Sequence, residues 1–260
     1  LAAKDYKAPE FKSFKEAMDI FLSGFPLPFQ SSTYRDFERF DKDRILDEAK
    51  RAFPVGEMER LLRAGKIQQL SQKFSELFST AEITSEIEVS RFRDFIEIEE
   101  NCKDFTSFLV PVLYGDEFAD SFHEYAKFLN SKREIRTWPT ATYFLAILQP
   151  KKHVFLKPTI VQHCAARLGY DLNYKSEISA ETYIQFKNMA KDLYKRMRPY
   201  GAQDYMDVHC FMYAIAKGGY IEEAEDFRRS FSMRKMEKEK AIKATYLNDY
   251  YAGRSTFIAK

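Results

Sequence analysis

From Phe11 to Tyr251 apolar side chains return every three or four residues, and strict alternation is almost absent. That spacing puts them on one face of an α-helix, whereas a half-buried strand needs a period of two. The chain is therefore expected to be all-α. Phe11, Phe14, Met18, Phe21 and Leu22 form the first such face. Phe25-Pro26-Leu27-Pro28-Phe29 ends it, because proline lacks an amide donor and pushes the residue before it out of the helical region. With 9 glycines and 9 prolines in 260 residues, the chain lacks the punctuation of a turn-rich β fold.

The same period runs on. Ser31-Ser32-Thr33 precedes Tyr34, Phe37 and Phe40 as a capped restart. A helix is expected from near Asp43, with Ile45 and Ala49 inward, ending before Pro54. Residues 57–78 repeat the period through Met58, Leu61, Leu62, Leu70, Phe74, Leu77 and Phe78, with Gly65 as a break. Residues 90–96, 105–113 and 116–129 follow. Residues 83–89 alternate but have no evident partner strand, so a loop or helix is expected there.

Residues 140–148 are almost wholly apolar and should be buried. Residues 159–168 open after Pro158 and close at Gly169, the usual helix opener and terminator. Residues 179–197 start on a Ser-Ala-Glu-Thr cap, residues 204–216 form another buried helix, and residues 221–251 read as one or two long helices. The expected core includes Trp138, Tyr143, Phe144, Leu148, Ile160, Leu168, Phe211 and Met212.

Charge divides the chain. Residues 1–130 carry 18 Lys/Arg against 25 Asp/Glu, while residues 131–260 carry 23 against 14. A basic half suits a polyanion, or the protein's own acidic half. No apolar run approaches the ~20 residues of a membrane span, and no secretory signal opens the chain. Leu1 rather than Met stands first, so the natural start is expected to lie elsewhere. Cys102, Cys164 and Cys210 are odd in number, widely spaced and free of any C-x-x-C. That pattern points to a reducing cytoplasm and to neither a disulfide framework nor a zinc ribbon.

Chemistry-bearing clusters are few. No phosphate loop, dinucleotide fingerprint, H-E-x-x-H or G-x-S-x-G occurs, and no cofactor or metal is expected. His163 and His209 each adjoin a cysteine on a helix, so each pair diverges by about 100° at 3.6 residues per turn. Asp204 and Asp207, one turn apart and beside His209, could hold a metal or serve as acid and base. They could equally cap a helix in solvent. Lys151, Lys152 and Lys157 bracket a loop before a helix opening at Thr159, which suits phosphate. The densest basic run includes Arg228, Arg229, Arg234, Lys235 and Lys238, interleaved with Phe227, Phe231 and Met236. Aromatics among cations suit nucleic acid or a protein partner.

Residues 137–169 resemble the helix–hairpin–helix DNA glycosylases. Thr140-Ala141 match the T-A of that family's G-V-G-x-K-T-A, and residues 143–148 match its apolar helix. Thr159, Val161, Arg167, Leu168 and Gly169 match its V-D-T-H-V-x-R-V-x-x-R-L-G. The resemblance implies a glycosylase-like helical bundle in which residues 204–216 supply the last barrel helix. Its catalytic aspartate, however, falls on Pro158, its lysine nucleophile on Pro139, and its hairpin glycines on Ile135 and Thr137. The stretch 138–208 also resembles an uncharacterised group of bacterial proteins. It carries W-P-x-A-T at Trp138, H-x-F-L-K-P-T at His153, L-G-x-D-L-x-Y at Leu168, E-T-Y at Glu181 and G-A-x-D-x-x-D-V at Gly201.

The expected organisation is an acidic helical region over residues 1–130, a glycosylase-like core over 131–220 and a basic helical extension over 221–260. The expected function is that of a non-catalytic nucleic-acid-binding protein, with DNA favoured, or a subunit of a bacterial or phage nucleic-acid-processing assembly that includes protein partners. Two alternatives stand beside it: a base-excision-like enzyme working through Asp204, Asp207 or His209, and a helical adaptor between proteins. No membrane association is expected.

Overall fold

A computed structural model describes residues 12–25, 29–31, 34–80 and 83–216. The fold is all-α, with no strand among the described residues. In chain order the helices are α1 (Phe14–Gly24), α2 (Phe40–Ala52), α3 (Glu57–Arg63), α4 (Ile67–Ser79), α5 (Glu86–Ile96), α6 (Glu99–Tyr114), α7 (Phe118–Ser131), α8 (Trp138–Leu148), α9 (Pro158–Leu168), α10 (Ala180–Met197) and α11 (Tyr205–Ala216). A π-helical segment, Arg35–Arg39, leads directly into α2. The expected helix over 221–251 lies outside the described residues.

Local chemistry sets the boundaries. Ser13, Ser85, Thr137 and Ser179 each accept a backbone N–H at the start of α1, α5, α8 and α10. At Ser85 the cap is reciprocal, since Glu88 reaches back to the Ser85 N–H at 3.1 Å. That box makes helix of the alternating stretch from Glu86 on. Gly65, at φ 66°, separates α3 from α4. Gly169, at φ 74°, ends α9 in the left-handed conformation that glycine adopts without steric cost.

The core is strongly aromatic. Phe74 and Phe78 from α4, Phe92 from α5, Phe105 from α6 and Phe144 from α8 form one cluster. Phe78 and Phe92 stack at 4.4 Å, and Phe74 meets Phe144 edge-on at 5.0 Å. Residues on either side of position 130 thus share one core. A second cluster joins Phe21, Phe25, Phe29 and Tyr34 to Phe211 on α11. Tyr143 lies within the first and donates its hydroxyl to the Leu77 carbonyl at 2.5 Å.

Of the expected core residues, Trp138, Tyr143, Phe144, Ile160, Phe211 and Met212 are buried. Leu148 and Leu168 are only half-buried. Each is the last residue of its helix, and Leu148 lines an open cleft. No described helix is long and apolar enough to cross a membrane.

Candidate functional site

The cleft beside Leu148 encloses about 910 Å³ between α2, the α8–α9 loop and the start of α11. Arg39 and Asp204 line its floor, with Lys50, Asp43, Lys151 and Lys152 around them. Its geometry follows from two local structures, the helix start at Asp204 and the loop 149–157.

Asp204 caps α11. Its Oδ1 accepts from the Met206 N–H at 2.9 Å and the Asp207 N–H at 3.3 Å, while Asp207 Oδ2 accepts from the Gln203 N–H at 2.6 Å. Capping was one of the expected roles of this pair. Its setting differs from the solvent that a helix start usually offers, because Asp204 is 7% and Asp207 2% exposed. Arg39 makes that burial tolerable. Its two terminal nitrogens reach Asp204 Oδ1 at 2.8 Å, Asp204 Oδ2 at 2.6 Å and Asp207 Oδ1 at 2.7 Å, and Tyr34 donates its hydroxyl to Asp207 Oδ1 at 2.7 Å. The planar fork of Arg39 suits this two-carboxylate grip.

The π-helical segment explains how two residues from one short stretch reach one carboxylate oxygen. Tyr34 and Arg39 are five apart, so an α-helix would turn them about 140° away from each other. Bonding from i to i+5 brings such residues onto one face.

The electrostatics follow from the packing. Burial works against the Arg39 charge, but Asp204 and Asp207 outweigh it and raise its pKa. Burial pushes the Asp207 carboxyl up, with Arg39 and the Gln203 N–H pulling it back. With every carboxylate oxygen of the pair already accepting, neither residue presents a free oxygen to a metal or a substrate proton. His209 is 3% exposed and packs edge-on to Phe155 at 5.2 Å. Burial, then Lys42 and Lys157, lower its pKa to about 3, so it is neutral at pH 7. No three His, Cys, Asp or Glu side chains converge among the described residues.

The lysine loop is pinned at several points. Lys152 and His153 donate their N–H groups to the Gln149 carbonyl at 2.9 Å, and the Tyr205 N–H reaches the Pro150 carbonyl at 2.9 Å. The Tyr183 hydroxyl donates to the Val154 carbonyl at 3.2 Å, and Thr142 accepts from the Leu156 N–H at 2.9 Å. Lys151 and Lys152 project from this frame fully exposed. Thr159 is exposed on the first turn of α9, whereas Lys157 is half-buried and donates to the Ile83 carbonyl at 3.5 Å. Arg228, Arg229, Arg234, Lys235 and Lys238 lie outside the described residues.

The bacterial-type motifs meet in this same region. Trp138, His153 and Tyr183 stack, with Tyr183 6.5 Å from Trp138 and 6.3 Å from His153. Trp138 donates its indole N–H to the Lys175 carbonyl at 3.0 Å. Arg39 and Tyr34 were not foreseen. They sit in a charged stretch whose pattern says nothing about a contact 165 residues away.

Protein-family models, curated proteins and solved structures were all compared with the chain. None matches.

Proposed function

We propose that the protein binds nucleic acid, DNA in the first instance, through its lysine loop, and does so without cutting it. The observation that carries this is the pair Lys151 and Lys152. Both project from a backbone pinned to α8, α10 and α11, and neither makes an ion pair among the described residues. Fixed cations without counter-charges are what a polyphosphate recognises, and fixing them beforehand lowers the entropy cost of binding. Thr159 extends the same edge. The commitment of Asp204 and Asp207 to Arg39 supports binding over hydrolysis. Their neutralised, saturated state leaves no carboxylate to steady the positive charge that develops on a sugar during base excision. In this proposal the glycosylase resemblance concerns shape and the choice of ligand, and the protein serves as a subunit beside catalytic partners.

The test is fluorescence anisotropy with labelled duplex and single-stranded oligonucleotides over a salt series. Affinity should fall with log salt at a slope of roughly −0.9 per phosphate contact on duplex and −0.7 on single strands. Reversing both charges, Lys151→Glu with Lys152→Glu, should weaken binding to all sequences alike, since phosphate contacts carry no base information. Salt-insensitive binding, or none, overturns the proposal and favours a protein partner.

A further inference from the structure

Lys187 projects from α10 with its Nζ 4.1 Å from the centre of the Phe118 ring and 5.9 Å from that of Tyr183. The rings beneath it form a column. His153 lies 5.3 Å from Phe118 and is parallel to Tyr183 within 10°, and Tyr183 stacks on Phe122 at 4.8 Å. Lys187 is half-buried and makes no ion pair among the described residues, although Asp116 and Glu117 directly precede Phe118 in the chain.

The surroundings of Lys187 add positive charge. Burial lowers its pKa, and Lys152 across the gap lowers it further. His153 feels the same two lysines on top of its own burial and is held neutral at about 3. Two cations share a partly dehydrated corner whose other members are rings and a neutral imidazole. Ring faces offset only part of the cost of such a pair, and a like charge nearby adds to it. An anion between the two ammonium groups removes the repulsion and supplies the missing counter-charge.

We propose that Lys152 and Lys187 hold one phosphate-type oxyanion beside Phe118, at the junction of α7, the lysine loop and α10. This site rests on the nucleic-acid function proposed above and deepens it. A backbone phosphate is the oxyanion, and α10 joins the loop as a contact surface. Lysine ammonium groups act as point charges without the planar fork that selects a carboxylate, which suits a tetrahedral group approached from two sides.

The test is competitive amine acylation of the full chain at pH 7, read by mass spectrometry at individual lysines. The probes are inorganic phosphate, chloride at equal ionic strength, and single-stranded and duplex oligonucleotides. At ten times its Kd, phosphate should slow Lys187 acylation about tenfold, because only the empty site reacts. Chloride should not, and exposed Lys127 should be unaffected. Lys152→Gln, at an exposed position, should abolish this protection while leaving the Trp138 emission of the folded chain unchanged. Protection of Lys187 by phosphate and oligonucleotide supports the site and its proposed ligand. Protection by phosphate alone supports the site and overturns the nucleic-acid function. Protection of Lys151 and Lys152 by oligonucleotide with Lys187 unprotected by either probe overturns the site and leaves the loop standing. No protection by either probe at any of the three lysines overturns both.

Discussion

Replacing Arg39 by methionine should be among the most damaging single changes in this protein, and the damage should depend on pH. The side chain is 7% exposed and supplies three short hydrogen bonds to two carboxylates that are themselves 9% and 3% exposed. Methionine fills similar space but leaves Asp204 and Asp207 buried with only backbone and Tyr34 donors. Removing one partner from a buried ion pair costs about 3–5 kcal/mol. The further contact from Arg39 to half-exposed Asp43 adds at most ~1 kcal/mol, since solvent screens it. Against a typical total of about 5–15 kcal/mol, that is a third or more of the stability.

The sign of the pH dependence follows from Asp207, whose pKa burial already raises and which Arg39 holds down. Without Arg39 it rises further above its unfolded value. A raised folded pKa gives stability that is full below the unfolded pKa and lost as pH rises through the folded one. The variant's deficit should therefore be largest at pH 7 and shrink towards pH 4.5. The assay is urea unfolding of both proteins at several pH values, followed by Trp138 emission. A deficit under ~1 kcal/mol at pH 7 refutes the reasoning, because a buried pair broken on one side costs several times that. A deficit that does not vary with pH refutes it too.

Other predictions follow from the same packing. Phe144→Ala removes a side chain ringed by Phe74, Phe78, Phe92 and Phe105, and should cost about 3–5 kcal/mol in urea unfolding. Trp138 is 2% exposed, so its native emission should lie well to the blue of free tryptophan and move red on unfolding; emission already at the free value would misplace α8. Incubation with duplexes carrying damaged bases should release no base, and release that Asp204→Asn abolishes would restore the catalytic alternative. Gly169→Ala forces a side chain into the left-handed region and should cost about 1–2 kcal/mol, although nothing lies within 4 Å of the added carbon.

Local features of the fold were legible because local physics sets them. Apolar spacing located most helices, serine and threonine caps started them, and Gly65 and Gly169 ended two of them. The π-helical segment was not legible, because one additional residue per turn leaves no mark that a period of three to four detects. Leu148 and Leu168 read as core from their helical faces, yet end positions depend on what lies beyond the helix. At the site, the sequence offered Asp204, Asp207 and the lysine loop as candidates. It did not show that Arg39 takes up the acidic pair, nor that Lys187 joins Lys152, because both pairings are made by tertiary packing between distant segments.

The link from Tyr34 and Arg39 to Asp204 and Asp207 also has a consequence in time. The ribosome adds about 5–20 residues per second, so the N-terminal half of this network emerges roughly 10–30 s before its other half exists. During that interval the face of Phe21, Phe25 and Tyr34 has no α11 to cover it, since Phe211 belongs to the last described helix. The earliest-made part of the chain is thus among the last to be sealed. A ribosome stalled before residue 205 would hold a chain with a bare aromatic face and an unpaired arginine, the kind of surface that chaperones and proteases bind.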